Sequence, residues 1–104
     1  MKYEDIKRTG EKIHEYDVYG AGPYQDAYAG SVETWLMPDG SVYTHVHHEN
    51  HLAYTGETTT YYRGTTTRPD DLRKRLAACN ANGAGYDPDT GADVDEIIQA
   101  LVQR

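Results

Sequence analysis

Scarcity of aliphatic side chains restricts this chain more than anything else: its 104 residues include four Ile, five Leu, six Val and no Phe. With a net charge of −7 as well, it lies near the composition at which burial no longer offsets chain entropy. Ten tyrosines and one tryptophan remain to fill an interior. A tyrosine ring buries a large area, but its hydroxyl needs a partner. The expected core is therefore thin, aromatic and hydrogen-bonded, in a single domain over residues 1–104.

Charge is distributed unevenly. All ten Lys and Arg fall within residues 1–12 or 63–104. The fifty residues between them hold seven carboxylates (Glu15, Asp17, Asp26, Glu33, Asp39, Glu49 and Glu57) and all five histidines, so the three segments carry +1, −7 and −1. Neighbouring carboxylates should favour protonation of His14, His45, His47, His48 and His51. Such a surface repels phosphate backbones and attracts cations, which argues against direct nucleic-acid binding and for a protein partner with a basic surface. The charged opening Met1-Lys2-Tyr3-Glu4-Asp5, with no apolar run behind it, predicts neither a signal peptide nor a membrane span, and so a soluble cytoplasmic protein. Cys79 is alone; it reads as a small apolar residue on a helix.

Periodicity predicts an α+β fold: a small antiparallel β-sheet of three to five strands, followed by two C-terminal helices packed on one face. Residues 3–9 have room for a turn or two of helix before Gly10, and Lys12–Tyr19 alternates like a half-exposed strand, with Tyr16 and Val18 on one side. A turn or short helix is expected over residues 24–30. The clearest hairpin runs Ser31–Met37, turns at Pro38-Asp39-Gly40 and returns through Ser41–His47, with Val32, Thr34 and Leu36 opposing Val42, Thr44 and Val46. Ala53–Thr67, rich in Thr and Tyr, reads as a further strand. A helix follows from Pro69, its stripe Leu72, Leu76 and Cys79. The last helix opens on a capping box, Asp93 and Glu96, and repeats Val94, Ile97, Ile98, Leu101 and Val102 on one face.

One constellation has the chemistry of a metal site. His45, His47, Glu49 and His51 alternate, so an extended chain places them on one side, and two imidazoles at i, i+2 are workable ligands for zinc or another transition metal. The order Gly40, His45, His47, Glu49, Gly56 resembles the cupin motif; it departs at two intervals, lacks the second motif, and the helical C-terminal third leaves too few strands for that barrel. His14-Glu15-Tyr16-Asp17-Val18 resembles a strand of the microbial guanyl-specific ribonucleases, which implies Glu15 or Glu33 as base, a histidine as acid and Arg63 on phosphate. The two helices after the sheet do not suit that fold. Asp87-x-Asp89-x-Gly91-x-Asp93-x-Asp95 has the rhythm of a calcium loop, but Ile98 stands where a bidentate Glu is needed; a turn and a helix cap explain it.

The hairpin's second face, Glu33, Trp35 and Tyr43 with Glu49 and Glu57 at its rim, has the composition of a binding patch. Size, charge and the lack of a catalytic motif point to a non-enzymatic interaction protein. It would occlude a basic surface of its partner, as small acidic inhibitors of the immunity or phage anti-defence kind do. The alternative is a metal-binding protein or small metalloenzyme built on the histidine cluster. A homodimer through the last helix or the Thr-rich edge strand is a third option.

Overall fold

The computed structural model describes residues 2–19, 28–49, 55–79 and 85–103. In chain order its elements are α1 (Tyr3–Thr9), β1 (Glu11–Tyr19), β2 (Tyr28–Leu36), β3 (Ser41–Glu49), β4 (Thr55–Thr66), α2 (Pro69–Ala77), α3 (Val94–Leu101) and β5 (Val102–Gln103). The strands form one antiparallel sheet in the order β1-β2-β3-β4-β5.

The β2–β3 hairpin organises this sheet, and its register is the one that alternation predicts: Val32 faces Val46, Thr34 faces Thr44 and Leu36 faces Val42. The turn closes through Met37 N–H to the Ser41 carbonyl and Gly40 N–H to the Met37 carbonyl, both 2.9 Å. Asp39 Oδ1 accepts from Ser41 N–H at 2.9 Å. Gly40 sits at φ +89°, a conformation that costs a residue bearing Cβ. A one-residue slip would move every aliphatic of the hairpin to the other side.

Both C-terminal helices pack on the Val32/Thr34/Leu36 side. Pro69 opens α2, with Asp70 and Asp71 in its first turn and Lys74 and Arg75 in its last, and Leu72 and Leu76 are buried. In α3, Asp93 Oδ1 accepts from Glu96 N–H at 2.8 Å, and Val94, Ile97, Ile98 and Leu101 face inward. Together with Leu36, Val42 and Cys79 they make the aliphatic core. Each large aliphatic buried there contributes about 1.5–3 kcal/mol over its exposed state. The apolar face of α3 is thus buried within the chain, which corrects the idea that it joins two copies.

Three features depart from expectation. The first helix docks on the opposite side of the sheet from α2 and α3, burying Ile6 against Trp35, Met37 and Tyr43 with Tyr3 at the margin. Second, β2 begins at Tyr28, where a turn or short helix was expected. Gly30 lets it do so, because a Cβ there would collide with the His47 carbonyl on β3. Third, Val102 leaves the helix to join Gln103 in β5, pairing with Thr66 and Thr65. No helix among the described residues is long and apolar enough to cross a membrane.

Candidate functional site: the open sheet face

Cross-strand register lays the second sheet face out in rows. One row runs Glu15, Glu33, His45, Thr59; the next runs Asp17, Ser31, His47, Glu57. Glu49, two residues beyond His47, shares the face. Five carboxylates and two histidines therefore stand together on four neighbouring strands. Glu15 and Asp17 belong to this set although the hairpin alone did not point to them. The signal that finds them is the alternation of β1, since Tyr16 packs with the aliphatic core and its odd-numbered neighbours must look the other way.

The first helix covers one end of this face, and that corrects the expected binding patch. Trp35 is 8% exposed and Tyr43 7%, both held under α1 rather than offered outward. With so few aliphatics, the chain seals this side with rings. Tyr3 stacks on His45, ring centroids 3.4 Å apart and planes within 4°, and Lys7 Nζ lies 4.7 Å over the tyrosine's far side. Tyr43 in turn packs against Tyr61 at 4.8 Å.

Glu33 ties this cover to the sheet. Its Oε1 accepts from the Tyr3 hydroxyl at 2.6 Å and from Trp35 Nε1–H at 3.2 Å, while Lys12 Nζ lies 3.7 Å from Oε2. Burial works to raise the Glu33 pKa, but the Tyr3 and Trp35 hydrogen bonds and the Lys12 charge outweigh it and hold the carboxyl below its usual range. Burial and the Glu33 carboxylate push the Tyr3 hydroxyl well above the usual phenol range. Glu33 is thus an internal strut, its side chain only 14% exposed, and not the free contact its sequence position suggested.

Beyond α1 no element among the described residues covers this face. Glu15, Glu49 and Glu57 are exposed, Asp17 and His47 half-buried. Lys12 lies 3.6 Å from Glu15 as well as beside Glu33. Glu57 Oε1 stands 3.8 Å from both His45 Nε2 and His47 Nδ1, and His47 Nε2 is 3.7 Å from Glu49 Oε1. His45 is 3% exposed; its Nδ1 meets Thr59 Oγ1 at 2.9 Å and its Nε2 has no hydrogen-bond partner among the described residues. Of the expected metal ligands, His45, His47 and Glu49 share this face, with Glu57 beside them, and His51 lies outside the described residues. Among the described residues no three His, Cys, Asp or Glu side chains are grouped to hold a metal ion.

His14 does not belong here. It faces Thr34 on the helix side, is buried, and finds no hydrogen-bond partner among the described residues. Burial, only partly offset by the nearby Cys79 backbone, lowers its pKa and favours the neutral ring. The protonated, carboxylate-flanked histidine expected at this position is therefore corrected, because the carboxylates beside it in sequence lie across the sheet. That separation also keeps His14 from serving Glu15 or Glu33 as an acid–base partner. The Asp87–Asp95 segment forms a turn and a cap: Asp87 Oδ1 accepts from Asp89 N–H and its carbonyl from Gly91 N–H, while Asp93 caps α3.

No family model, curated protein or solved structure matches this chain.

Proposed function

We propose that this is a small acidic interaction protein, not an enzyme, that docks the open part of its sheet face on a basic surface of a protein partner and occludes it. The observation that supports this most is the grouping of Glu15, Asp17, Glu49 and Glu57 beyond the edge of α1, with Lys12 the one lysine or arginine of β1–β3. Cross-strand neighbours lie roughly 5 Å apart and alternate residues along a strand roughly 7 Å apart. A rigid sheet thus presents closely spaced negative charges at little ordering cost. Such a surface speeds encounter with a cationic partner and weakens as salt rises. Occlusion of this kind is the working mode of immunity and anti-defence inhibitors.

The test is affinity capture on the immobilised chain with a Glu15→Lys/Asp17→Lys/Glu49→Lys variant, which leaves the Glu33 strut intact. The wild type should retain a basic protein that elutes at moderate salt, and the variant should lose it while keeping the wild-type circular dichroism. Equal retention by a folded variant refutes the proposal.

One observation favours a second reading: the buried His45 Nε2, without a hydrogen bond, faces Glu57 Oε1, and Glu57 also faces His47. A transition metal such as zinc held by His45, His47 and a carboxylate from Glu49 or Glu57 would satisfy that nitrogen. Elemental analysis of untagged protein decides it. About one metal per chain, lost in His47→Ala, supports the reading, and less than about 0.2 per chain removes it.

A further inference from the structure

The two edges of the sheet are built differently. The outer edge of β1 is irregular, with a register shift between Lys12 and His14, and is studded with Glu11, Lys12, Glu15 and Asp17. The Arg73 guanidinium reaches from α2 to Glu11 at 3.0 and 3.2 Å. These are devices that keep an edge from pairing with other strands. On the far side, β5 covers only Thr65 and Thr66 of β4. From Glu57 to Arg63 the outer edge of β4 pairs with no strand among the described residues. That stretch reads Glu-Thr-Thr-Thr-Tyr-Tyr-Arg, without proline, lysine or glycine, and every residue but Tyr62 is exposed. β-Branched and aromatic residues of this kind favour strand pairing.

We propose that two copies of the chain pair antiparallel through this edge, about a two-fold axis at Thr60, to make one continuous sheet. In that register Thr60 faces its own copy, Thr59 faces Tyr61, Thr58 faces Tyr62, and Glu57 faces Arg63. The two charges of the edge stand equally far from Thr60, so the two-fold puts opposite charges against each other at both ends of the contact. A shift of one position either way loses both pairs. β5 takes the places opposite Thr65 and Thr66, so the paired window runs from Glu57 to Arg63, and the second copy's strand has to leave the lane at Gly56, before its Thr55 would meet Gln103. A cavity of about 440 Å³, lined by Thr60, Tyr61, Tyr62 and Arg63 with Asp95 and Gln99 of α3, lies along the edge to receive the second copy's threonines. Tyr62 is already anchored there by its hydroxyl on Asp95. A self-complementary contact of this form closes on itself and stops at two chains.

Sedimentation velocity across a concentration series tests the pairing. The wild type should shift from monomer to dimer as concentration rises. Glu57→Arg or Arg63→Glu alone turns two attractions into two repulsions and should weaken the dimer about tenfold or more. The double variant Glu57→Arg/Arg63→Glu restores complementary pairs and should recover the dimer. Thr60→Cys should cross-link to itself under mild oxidation, and Thr58→Cys should not; Cys79 is buried and does not compete. A wild type that stays monomeric at about 1 mM overturns the proposal, as does a dimer indifferent to both single variants.

Discussion

The two faces of this sheet solve one problem with different materials. On the side of α2 and α3, aliphatic residues meet in one buried cluster of Leu36, Val42, Leu72, Leu76, Val94, Ile97, Ile98 and Leu101. On the α1 side, among the described residues, only Ile6 and Met37 join Trp35, Tyr43 and Tyr3, and the contact is completed by hydrogen bonds to Glu33 and a ring stacked on His45. A chain with few aliphatics concentrates them on one face for stability and seals the other with rings and polar links. That second seal is short, one seven-residue helix, and among the described residues nothing else covers the carboxylates of this face. The aliphatic scarcity and the exposed acidic surface are thus two sides of one arrangement.

Truncation should separate the faces most sharply. Ile98→Ala leaves a cavity in the aliphatic cluster and should cost about 2–5 kcal/mol of global stability in denaturant melts. Ile6→Ala should cost less, because α1 can detach while the rest stays folded; hydrogen exchange would show protection lost over residues 3–9 alone. Equal global losses would mean that both faces unfold as one unit.

The Glu33 strut comes next. Glu33→Gln keeps an acceptor but loses its charge and should cost about 1–2 kcal/mol, the gap between charged and neutral hydrogen bonds. The pH sign follows from the depressed Glu33 carboxyl: its contribution is complete above the ordinary carboxylate pKa and is lost as pH falls through the lower folded value. Fluorescence of Trp35, the chain's one tryptophan, should therefore report loosening of α1 in acid, and that transition should be missing in Glu33→Gln.

On the aliphatic face the smaller effects concern a cap and a buried imidazole. Asp93→Ala removes the α3 cap and should cost about 1 kcal/mol in a thermal melt. His14, its pKa lowered by burial, binds a proton more readily unfolded than folded, so stability should decline as pH drops below about 6.5. In His14→Leu that part of the decline should disappear; an unchanged profile would assign it elsewhere.

The sheet and its helices were legible because their residues alternate or repeat strongly. The hairpin register follows from Val32, Thr34 and Leu36, the α3 boundary from the Asp93 cap, and the α2 start from Pro69. The docking of α1 was not legible. Its one aliphatic, Ile6, gives no periodicity, and Tyr3 finds Glu33 and His45 only after the sheet has formed. For the same reason the Trp35/Tyr43 side was expected to be bare. The side of the sheet taken by Glu33, His45, His47, Glu49 and Glu57 could be read from local alternation, but which of them α1 would cover depended on a contact across thirty residues of sequence. β5 escaped because two residues carry no pattern.

The docking face is examined most directly by mapping backbone amide shifts of the labelled chain as the captured partner is added. The expected perturbations run along β1, β3 and the start of β4 around Glu15, Asp17, Glu49 and Glu57, and fade as salt is raised. Perturbations confined to α2 and α3, with those strands unmoved, would contradict it.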